Sequence, residues 1–440
     1  MPKYFLVHHG ASVRVPFRGW YVVAALFLVG FALYGAGLTS FILFVIPLSD
    51  EFHWSREATG GLVSAFWLAA PVALFAAPLI RRFETRRLVA AGVVLEAVSV
   101  FMLFTAFHLW QMYALRALAG LGKMLYAITL PVIISRWFSR RFGLATALTF
   151  CGWNLGGAAF APFTGYLING IGWRGASMTL GVGILLIALA PTLWVLNVSS
   201  AAELGLGLDG APPKQAPPIS MEAESAESAE GGNRRAMVEL MQQRTFPLII
   251  IAIAVYYLVY SGVLAHQAAI VEGEHVSGTM ASWILGVTAG AAAIGALLIG
   301  WLIDRLSLNS VTVLQFALMG VGVCSLLAST YTQSMALLLI HSLSYGLAVG
   351  GSDPFWITLI RRGVPYRLFQ QAWGVGYFVE LAFVVVAPFW VGFLYESFGN
   401  YQAALWFEFA LIAAPLALAL TVVCAIKIRK PSALLSYDGR

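Results

Sequence analysis

Long apolar runs alternate with short polar turns along most of the chain. Each run has about the 20 residues that a helix needs to cross a bilayer. The runs are continuous, whereas the strands of a membrane β-barrel would alternate between apolar and polar residues. The pattern therefore predicts an all-α membrane protein with twelve transmembrane helices. The predicted spans are residues 20–47, 58–80, 88–107, 109–135, 143–168, 177–197, 246–270, 281–303, 310–330, 334–360, 371–395 and 402–427.

Positive charge is distributed unevenly between the two sets of loops. Nearly all of the 26 lysines and arginines lie on the side that holds both termini, whereas the opposite loops contain only Arg56 and Arg174. Basic loops stay on the cytoplasmic side of a membrane. We therefore expect both termini to be cytoplasmic, and no cleavage site follows the basic N-terminus that would mark a removed signal peptide.

Composition excludes several other classes of protein. Hydrophobic residues make up 60% of the chain and charged residues 10%, which leaves too little polar surface for a soluble domain of this size. The net charge of +6 reflects the basic loops, so we expect no nucleic-acid partner. The three cysteines have no metal-ligand spacing, and no phosphate loop or catalytic motif occurs. The sequence thus predicts neither an enzyme nor a bound cofactor.

One long polar segment divides the chain into two halves. It is rich in proline and contains the acidic run Glu222–Glu230, a composition that cannot bury enough apolar surface to fold. We predict an N-terminal six-helix bundle (1–198), a mobile cytoplasmic linker (199–245), and a C-terminal six-helix bundle with a short cytoplasmic tail (246–440). Two halves of six spans are typical of transporters that rock around a central site.

The fourth span carries two cations inside an apolar helix. Arg116 and Lys123 are seven residues apart, so a helix places them two turns apart and about 20° from one line. Lys123 lies ~21 Å along the axis from the outer end of the span, and Arg116 lies ~10 Å closer to that end. Charges at such depth are expensive and usually functional. We interpret Lys123 as an anion anchor and Arg116 as a second anchor or entry guide, with structural ion pairs as the alternative.

Four carboxyl groups in other spans could act as counterions of these cations. Glu380 lies near mid-span and is a candidate proton carrier, because desolvation favours the neutral form of a carboxyl. Asp353 precedes Pro354, which can break a helix locally, so we predict a coupling or gating role for it. Glu96 and Glu408 lie on spans that should be peripheral, and we expect structural roles for both.

Loop motifs resemble those of the major facilitator superfamily. Gly300-x-x-x-Asp304-Arg305 follows span 8, and Arg116-x-x-x-Gly120-x-Gly122 lies in span 4. The equivalent loop after span 2 has Arg81, followed by Arg82, where the superfamily signature has its aspartate. The resemblance implies that these loops lock one conformation. The departure at Arg81 implies an altered lock, or one in which Glu84 substitutes for the aspartate.

The first half has a narrower resemblance. It carries Gly19-Trp20-Tyr21, Glu51-Phe52-x-Trp54-Ser55-Arg56, Trp137-Phe138-x-Arg140-Arg141 and Gly172-Trp173-Arg174. These motifs are similar to those of the monocarboxylate-porter group, including oxalate/formate-antiporter-like bacterial members. The resemblance implies a small carboxylate cargo, often carried with a proton, and a bacterial inner-membrane location. Two departures are Ala147, where span 5 usually has glycine, and the absence of any charge in span 8.

The superfamily fold implies that spans 1, 4, 7 and 10 line a central cavity. Spans 1, 7 and 10 each carry polar side chains at helical spacing, which we interpret as candidate substrate contacts. These residues are Tyr34; Tyr256, Tyr260 and Gln267; and His341 and Tyr345.

The expected function is secondary transport of a small organic anion by alternating access, coupled to protons or to exchange. We expect a monomer in the lipid bilayer. The alternative cargo is a larger amphipathic or zwitterionic compound that is exported. A membrane enzyme or receptor is disfavoured, because neither a catalytic cluster nor an output domain is evident.

Overall fold

The computed structural model describes residues 3–8, 11–212, 232–272 and 278–428. The helical part is preceded by a short antiparallel hairpin, β1 (Lys3–His8) and β2 (Ala11–Pro16), with Lys3 opposite Pro16. The prediction of an all-α chain did not include this hairpin. Two short runs that contain aromatic or β-branched residues, with two residues between the runs, are typical of a hairpin. The segment is too short and too basic to be predicted as a transmembrane span.

The predicted spans are observed within a few residues of their expected bounds. Span 1 is Arg18–Phe52, span 3 is Thr85–Thr105 and span 4 is Leu109–Ser135. Span 2 consists of the α-helices Arg56–Ala65 and Ala76–Arg82 with a 3₁₀ segment between them. Spans 5 and 6 lie within Phe142–Val195. Spans 7 to 11 are Thr245–Glu272, Gly278–Arg305, Leu308–Thr332, Met335–Gly363 and Phe369–Phe398, and span 12 is Tyr401–Leu411 followed by Ala413–Ile428.

Spans 5 and 6 are joined by a kink where the sequence predicted a loop. Gly172 interrupts the helix with φ 72° and ψ 167°. A straight helix over Phe142–Val195 would be ~80 Å long, far more than a bilayer's hydrocarbon core. The described residues therefore contain eleven helices long and apolar enough to cross a membrane, and one of them supplies two spans.

Spans 1 and 2 leave regular α-helical geometry near their middles. Span 1 contains a π-helical turn over Leu33–Leu38 and a 3₁₀ segment over Thr39–Phe44. Span 2 contains a 3₁₀ segment over Phe66–Phe75, which includes Pro71. Such segments change the hydrogen-bonding partners of backbone carbonyls and are frequent at functional sites. Here they lie beside the cations of span 4.

The chain divides into two compact units, Met1–Asn233 and Arg234–Arg440. In the first unit, span 4 packs against spans 2 and 3, and span 1 packs against the helix that begins span 5. In the second unit, span 10 packs against spans 8 and 9, and span 7 against span 11. The two units thus have the same pattern of neighbouring spans.

Both flanks of the predicted linker, residues 199–245, contact the unit next to them. Asp209 accepts hydrogen bonds from the backbone N–H groups of Ser139, Arg140 and Arg141 at 3.0, 2.7 and 3.2 Å. Because these three groups lie in the turn that precedes the helix Phe142–Ile184, the carboxylate fixes the turn between spans 4 and 5. The other flank forms helix Gly232–Gln242, where Glu239 pairs with Arg367 of the same unit. The rest of the predicted linker, 213–231, and the tail, 429–440, lie outside the described residues.

Equivalent glycines allow the closest helix contacts in the two units. A Cβ added at Gly120 of span 4 would lie 1.8 Å from the carbonyl oxygen of Phe66 in span 2. A Cβ added at Gly350 of span 10 would lie 1.7 Å from the carbonyl oxygen of Ala292 in span 8. Backbones that approach this closely leave no room for a methyl group, as is common for small residues between membrane helices.

We predict that Gly120→Ala and Gly350→Ala each lower the thermal stability of the purified protein. Overpacking of this kind costs about 1–3 kcal/mol, and thermal unfolding in detergent measures it. Gly165→Ala and Gly290→Ala are matched controls in the same units, because a Cβ at either position meets no atom within 4 Å. Equal melting temperatures for all four variants would contradict the close approach.

Candidate functional site

The middle of span 4 carries two buried cations in the N-terminal unit. Arg116 is 1% exposed and Lys123 is 2% exposed. Gly120, Ala127 and Pro131 share their face and are also buried, whereas Leu118 on the opposite face is exposed. At the level of the two cations, span 4 therefore buries the face that carries them.

The guanidinium group of Arg116 connects span 4 to the irregular segments of spans 1 and 2. Its Nη1 donates to the carbonyl oxygen of Gly37 at 2.8 Å, and its Nε donates to that of Leu62 at 3.4 Å. The group lies over the rings of Phe41 and Phe66, 3.8 and 4.8 Å from their centroids. Carbonyl oxygens and ring faces both stabilise a buried cation. Arg116 thus holds three spans together, and its role as a second anion anchor stays a prediction.

Lys123 lies inside a group of aromatic rings that we call the aromatic cage. Its Nζ is 4.5 Å from the ring centroid of Trp67, 5.0 Å from that of Trp153 and 5.7 Å from that of Tyr34. Tyr34 and Trp153 stack at 5.4 Å with an interplanar angle of 19°. Spans 1, 2 and 5 therefore each place one aromatic face toward the cation of span 4.

Hydrogen bonds to Tyr126 help to position the cage. The Tyr126 hydroxyl donates to the carbonyl oxygen of Leu26 at 2.7 Å, and Trp153 Nε1 lies 3.5 Å from that hydroxyl. Lys123 and Tyr34 could be identified from the sequence, whereas Trp67 and Trp153 could not. Polar stripes on spans 1, 4, 7 and 10 could not reveal them, because both tryptophans come from other spans and read as ordinary membrane residues. The sequence marks these two residues only as tryptophans inside predicted spans, and Trp153 directly follows a glycine.

In the C-terminal unit, the predicted polar residues of spans 7 and 10 lie together. Gln315 of span 9 donates to the Tyr256 hydroxyl at 2.8 Å and to the carbonyl oxygen of Ala348 at 2.6 Å. The Tyr256 hydroxyl donates to the same carbonyl at 3.1 Å. Tyr345 donates to the backbone carbonyl of Tyr260. Sequence reasoning missed Gln315, which lies on a span that the superfamily fold would place outside the cavity.

A second part of this cluster is centred on His341. Its Nδ1 lies 2.9 Å from the carbonyl oxygen of Gly322, so that nitrogen carries the proton. Its Nε2 then accepts from Gln267 Nε2 at 3.1 Å, and Gln267 also donates to the Thr288 hydroxyl at 2.8 Å. His341 stacks on Tyr345 at 5.1 Å. The polar groups of this unit are thus largely bonded to one another, and their contact with substrate stays a prediction.

The two candidate coupling carboxyls of the second unit lie near Tyr257. The Tyr257 hydroxyl donates to Asp353 Oδ1 at 3.1 Å, and the charges of Asp353 and Glu380 both act on this tyrosine. The helix Met335–Gly363 continues through Pro354, so the local break expected there is not observed. Packing of span 10 against spans 8 and 9 holds the helix together despite the proline.

The basic loops differ between the units, as their sequences predict. Arg305 lies 4.3 Å from the ring centroid of Trp301, next to Gly300, and Asp304 interacts electrostatically with Arg362 of the same unit. In the first unit, Arg81 and Arg82 are exposed. There Glu84 pairs with Arg87 at 3.2 Å with both side chains exposed, and such surface pairs contribute little energy. The locking role of these loops stays a prediction.

Two motifs that are far apart in sequence meet at one end of the N-terminal unit. Glu51 accepts a hydrogen bond from Trp173 Nε1 at 2.6 Å and pairs with Arg174 Nη1 at 2.6 Å. Phe52 stacks on Trp54 at 4.5 Å. The motif before span 2 thus contacts the motif at the span 5–span 6 kink.

The sequence model of the Major Facilitator Superfamily matches residues 25–380 and, in a second match, residues 248–436. The chain belongs to the major facilitator superfamily. This confirms the predicted fold class of twelve helices in a multi-pass membrane protein, and members of this superfamily are transporters.

Relatives with carboxylate-related names are similar over most of their length. Monocarboxylate transporter 11 of Mus musculus is 29% identical over 395 residues, which are 88% of this chain and 83% of that protein. Gallate transporter of Pseudomonas putida is 25% identical over 359 residues, 76% of each chain. The likeness thus extends beyond the first 180 residues that carry the motifs and includes the second half.

Solved structures of the superfamily share the fold. The fucose–proton symporter FucP of E. coli has a TM-score of 0.68 at 13% identity and covers 91% of this chain and 99% of its own. The proton–xylose symporter XylE has a TM-score of 0.71 at 13% identity and covers 94% of this chain and 96% of its own. At such identity these structures show the fold alone.

We predict that Lys123 and Trp67 are energetically coupled. A double-mutant cycle of Lys123→Met and Trp67→Leu, read by unfolding free energy in detergent, should give a coupling of about 0.5–2 kcal/mol. The same cycle with Trp194→Leu is the control, because Trp194 is 77% exposed. Equal couplings for Trp67 and Trp194 would rule out the cage contact.

Proposed function

We propose that this transporter carries a small monocarboxylate-like anion by alternating access, coupled to protons or to exchange. The observation that carries the proposal is the buried ammonium group of Lys123 within the aromatic cage. We further propose the orientation expected from the basic loops, with cytoplasmic termini in a bacterial inner membrane.

The cage combines the two properties that an organic carboxylate requires. A cation in a low-dielectric environment attracts an anion far more strongly than it does in water. The faces of Trp67, Trp153 and Tyr34 offer apolar surface to the organic part of the ligand. One ammonium group beside three rings therefore favours a small molecule with a single carboxylate at one end.

The distribution of charge along the chain supports span 4 as the source of this anchor. The apolar run of span 8, residues 282–303, contains no charged residue. Lys123 and Arg116 are the cations that the first unit buries in its described spans. The names of the mouse and Pseudomonas relatives both refer to carboxylates, which is consistent with this chemistry.

We predict that Lys123→Ala abolishes carboxylate uptake while the protein still inserts and folds. Proteoliposomes with an inward proton gradient would be offered radiolabelled lactate, benzoate and gallate. The wild type should accumulate at least one of them. The variant should lose at least about 30-fold in rate, because removing one partner of a buried charge pair costs about 2–5 kcal/mol.

Arg140→Ala is the matched control, because Arg140 is an exposed cation in the loop after span 4. It should transport at the wild-type rate. Wild-type uptake by Lys123→Ala would remove the anchor role. Transport of only larger amphipathic compounds, outward against an imposed gradient, would instead favour the export function.

A further inference from the structure

Glu96 is a buried carboxyl group in the middle of span 3. Its side chain is 0% exposed, and neither of its oxygens has a hydrogen-bond partner within the described part of the chain. Burying an ionised carboxylate without hydrogen bonds costs several kcal/mol unless nearby cations compensate it. Packing alone therefore does not account for a glutamate at this position.

The carboxyl group of Glu96 and the guanidinium group of Arg116 both contact Gly37 of span 1. A Cβ added at Gly37 would lie 1.8 Å from Glu96 Oε1, so the oxygen rests against the glycine backbone. The carbonyl oxygen of the same glycine accepts from Arg116 Nη1 at 2.8 Å. The charges of Lys123 and Arg116 both act on Glu96.

Span 4 supplies the charged groups that face Glu96, namely Arg116 and Lys123. Span 1 contributes Gly37 at this level, and its Tyr34 faces Lys123. The helix Phe142–Ile184 also packs against span 3, where a Cβ added at Gly181 would lie 2.8 Å from the carbonyl oxygen of Ala97. Within the described residues, Glu96 is thus the carboxyl that shares its surroundings with both cations.

We propose that Glu96 is the proton-binding group that couples proton movement to anion binding, an inference that rests on the proposed function. At a pH where Glu96 is ionised in the free protein, its carboxylate offsets part of the charge of Lys123 and Arg116. When a substrate carboxylate binds at Lys123, a second negative charge enters the same low-dielectric space. Two carboxylates sharing a site disfavour double ionisation, so Glu96 takes a proton from water and an O–H bond forms on one of its oxygens.

Because the proton and the anion each strengthen the binding of the other, this coupling produces symport. If the anion increases the affinity of Glu96 for a proton, the proton must increase the affinity for the anion by the same factor. Each monoanion then moves with one proton, and the net charge of the buried cluster is the same before and after loading. Release of either partner weakens the binding of the other.

Calorimetric titration measures this proton directly. The purified protein is titrated with the tightest-binding member of lactate, benzoate and gallate, in two buffers of different ionisation enthalpy. The wild type should take up about one proton per anion, so its affinity weakens ~10-fold for each unit rise in pH once Glu96 is ionised in the free protein. Glu96→Gln should bind the anion with no proton uptake and a flat pH profile.

Glu408→Gln is the matched control. Glu408 is a second buried glutamate whose oxygens have no hydrogen-bond partner among the residues described, and it lies in the other unit. This variant should keep the uptake of one proton. Gly37→Ala tests the same geometry with the glutamate retained, because the added methyl group takes the place of Oε1 and should reduce the uptake below one.

Proton uptake by Glu96→Gln, or wild-type binding with no proton uptake and a flat affinity at every pH at which the protein stays folded, would overturn the coupling role and leave the proposed function intact. Failure of the wild type to bind any of the three anions would overturn both. Should Glu96→Gln not fold, unchanged uptake of one proton by Gly37→Ala would overturn the role of Glu96.

Discussion

The burial of two cations is the constraint on which the N-terminal unit depends. A charge removed from water must be compensated locally, at a cost of several kcal/mol if it is not. Arg116 is compensated by backbone carbonyls of Gly37 and Leu62 and by two phenylalanine rings, and Lys123 lies against three aromatic rings. The carbonyl of Gly37 comes from the π-helical turn of span 1, so the irregular backbone of that span and the charge of span 4 are parts of one arrangement.

The two units share a packing pattern but differ in chemistry. In each, the equivalents of spans 2 and 4 touch at a glycine that excludes a methyl group. The buried polar groups of the second unit largely satisfy one another, as Gln267, His341 and the carbonyl of Gly322 do. The first unit instead concentrates positive charge around Lys123. This asymmetry is why the substrate's carboxylate is assigned to the first unit.

Much of the fold could be predicted from the sequence, because hydrophobic run length and loop charge depend on local composition. Lys123, Arg116 and Tyr34 could be identified for the same reason, since a charge or tyrosine stands out within an apolar helix. Trp67, Trp153 and Gln315 could not be placed, because their roles arise from contacts between helices. The kink at Gly172 and the hydrogen bonds of Asp209 to the turn before span 5 are also tertiary features. The link between Glu96 and the cations depends on a close approach at Gly37 that periodicity does not encode.

The most direct test is a crystal structure with a brominated analogue of the tightest-binding carboxylate, located by the anomalous signal of bromine. We expect a carboxylate oxygen about 2.7–3.2 Å from Lys123 Nζ, with the bromine among the rings of Trp67, Trp153 and Tyr34. Binding at another place, with the cage of Lys123 unchanged and empty of ligand, would contradict it.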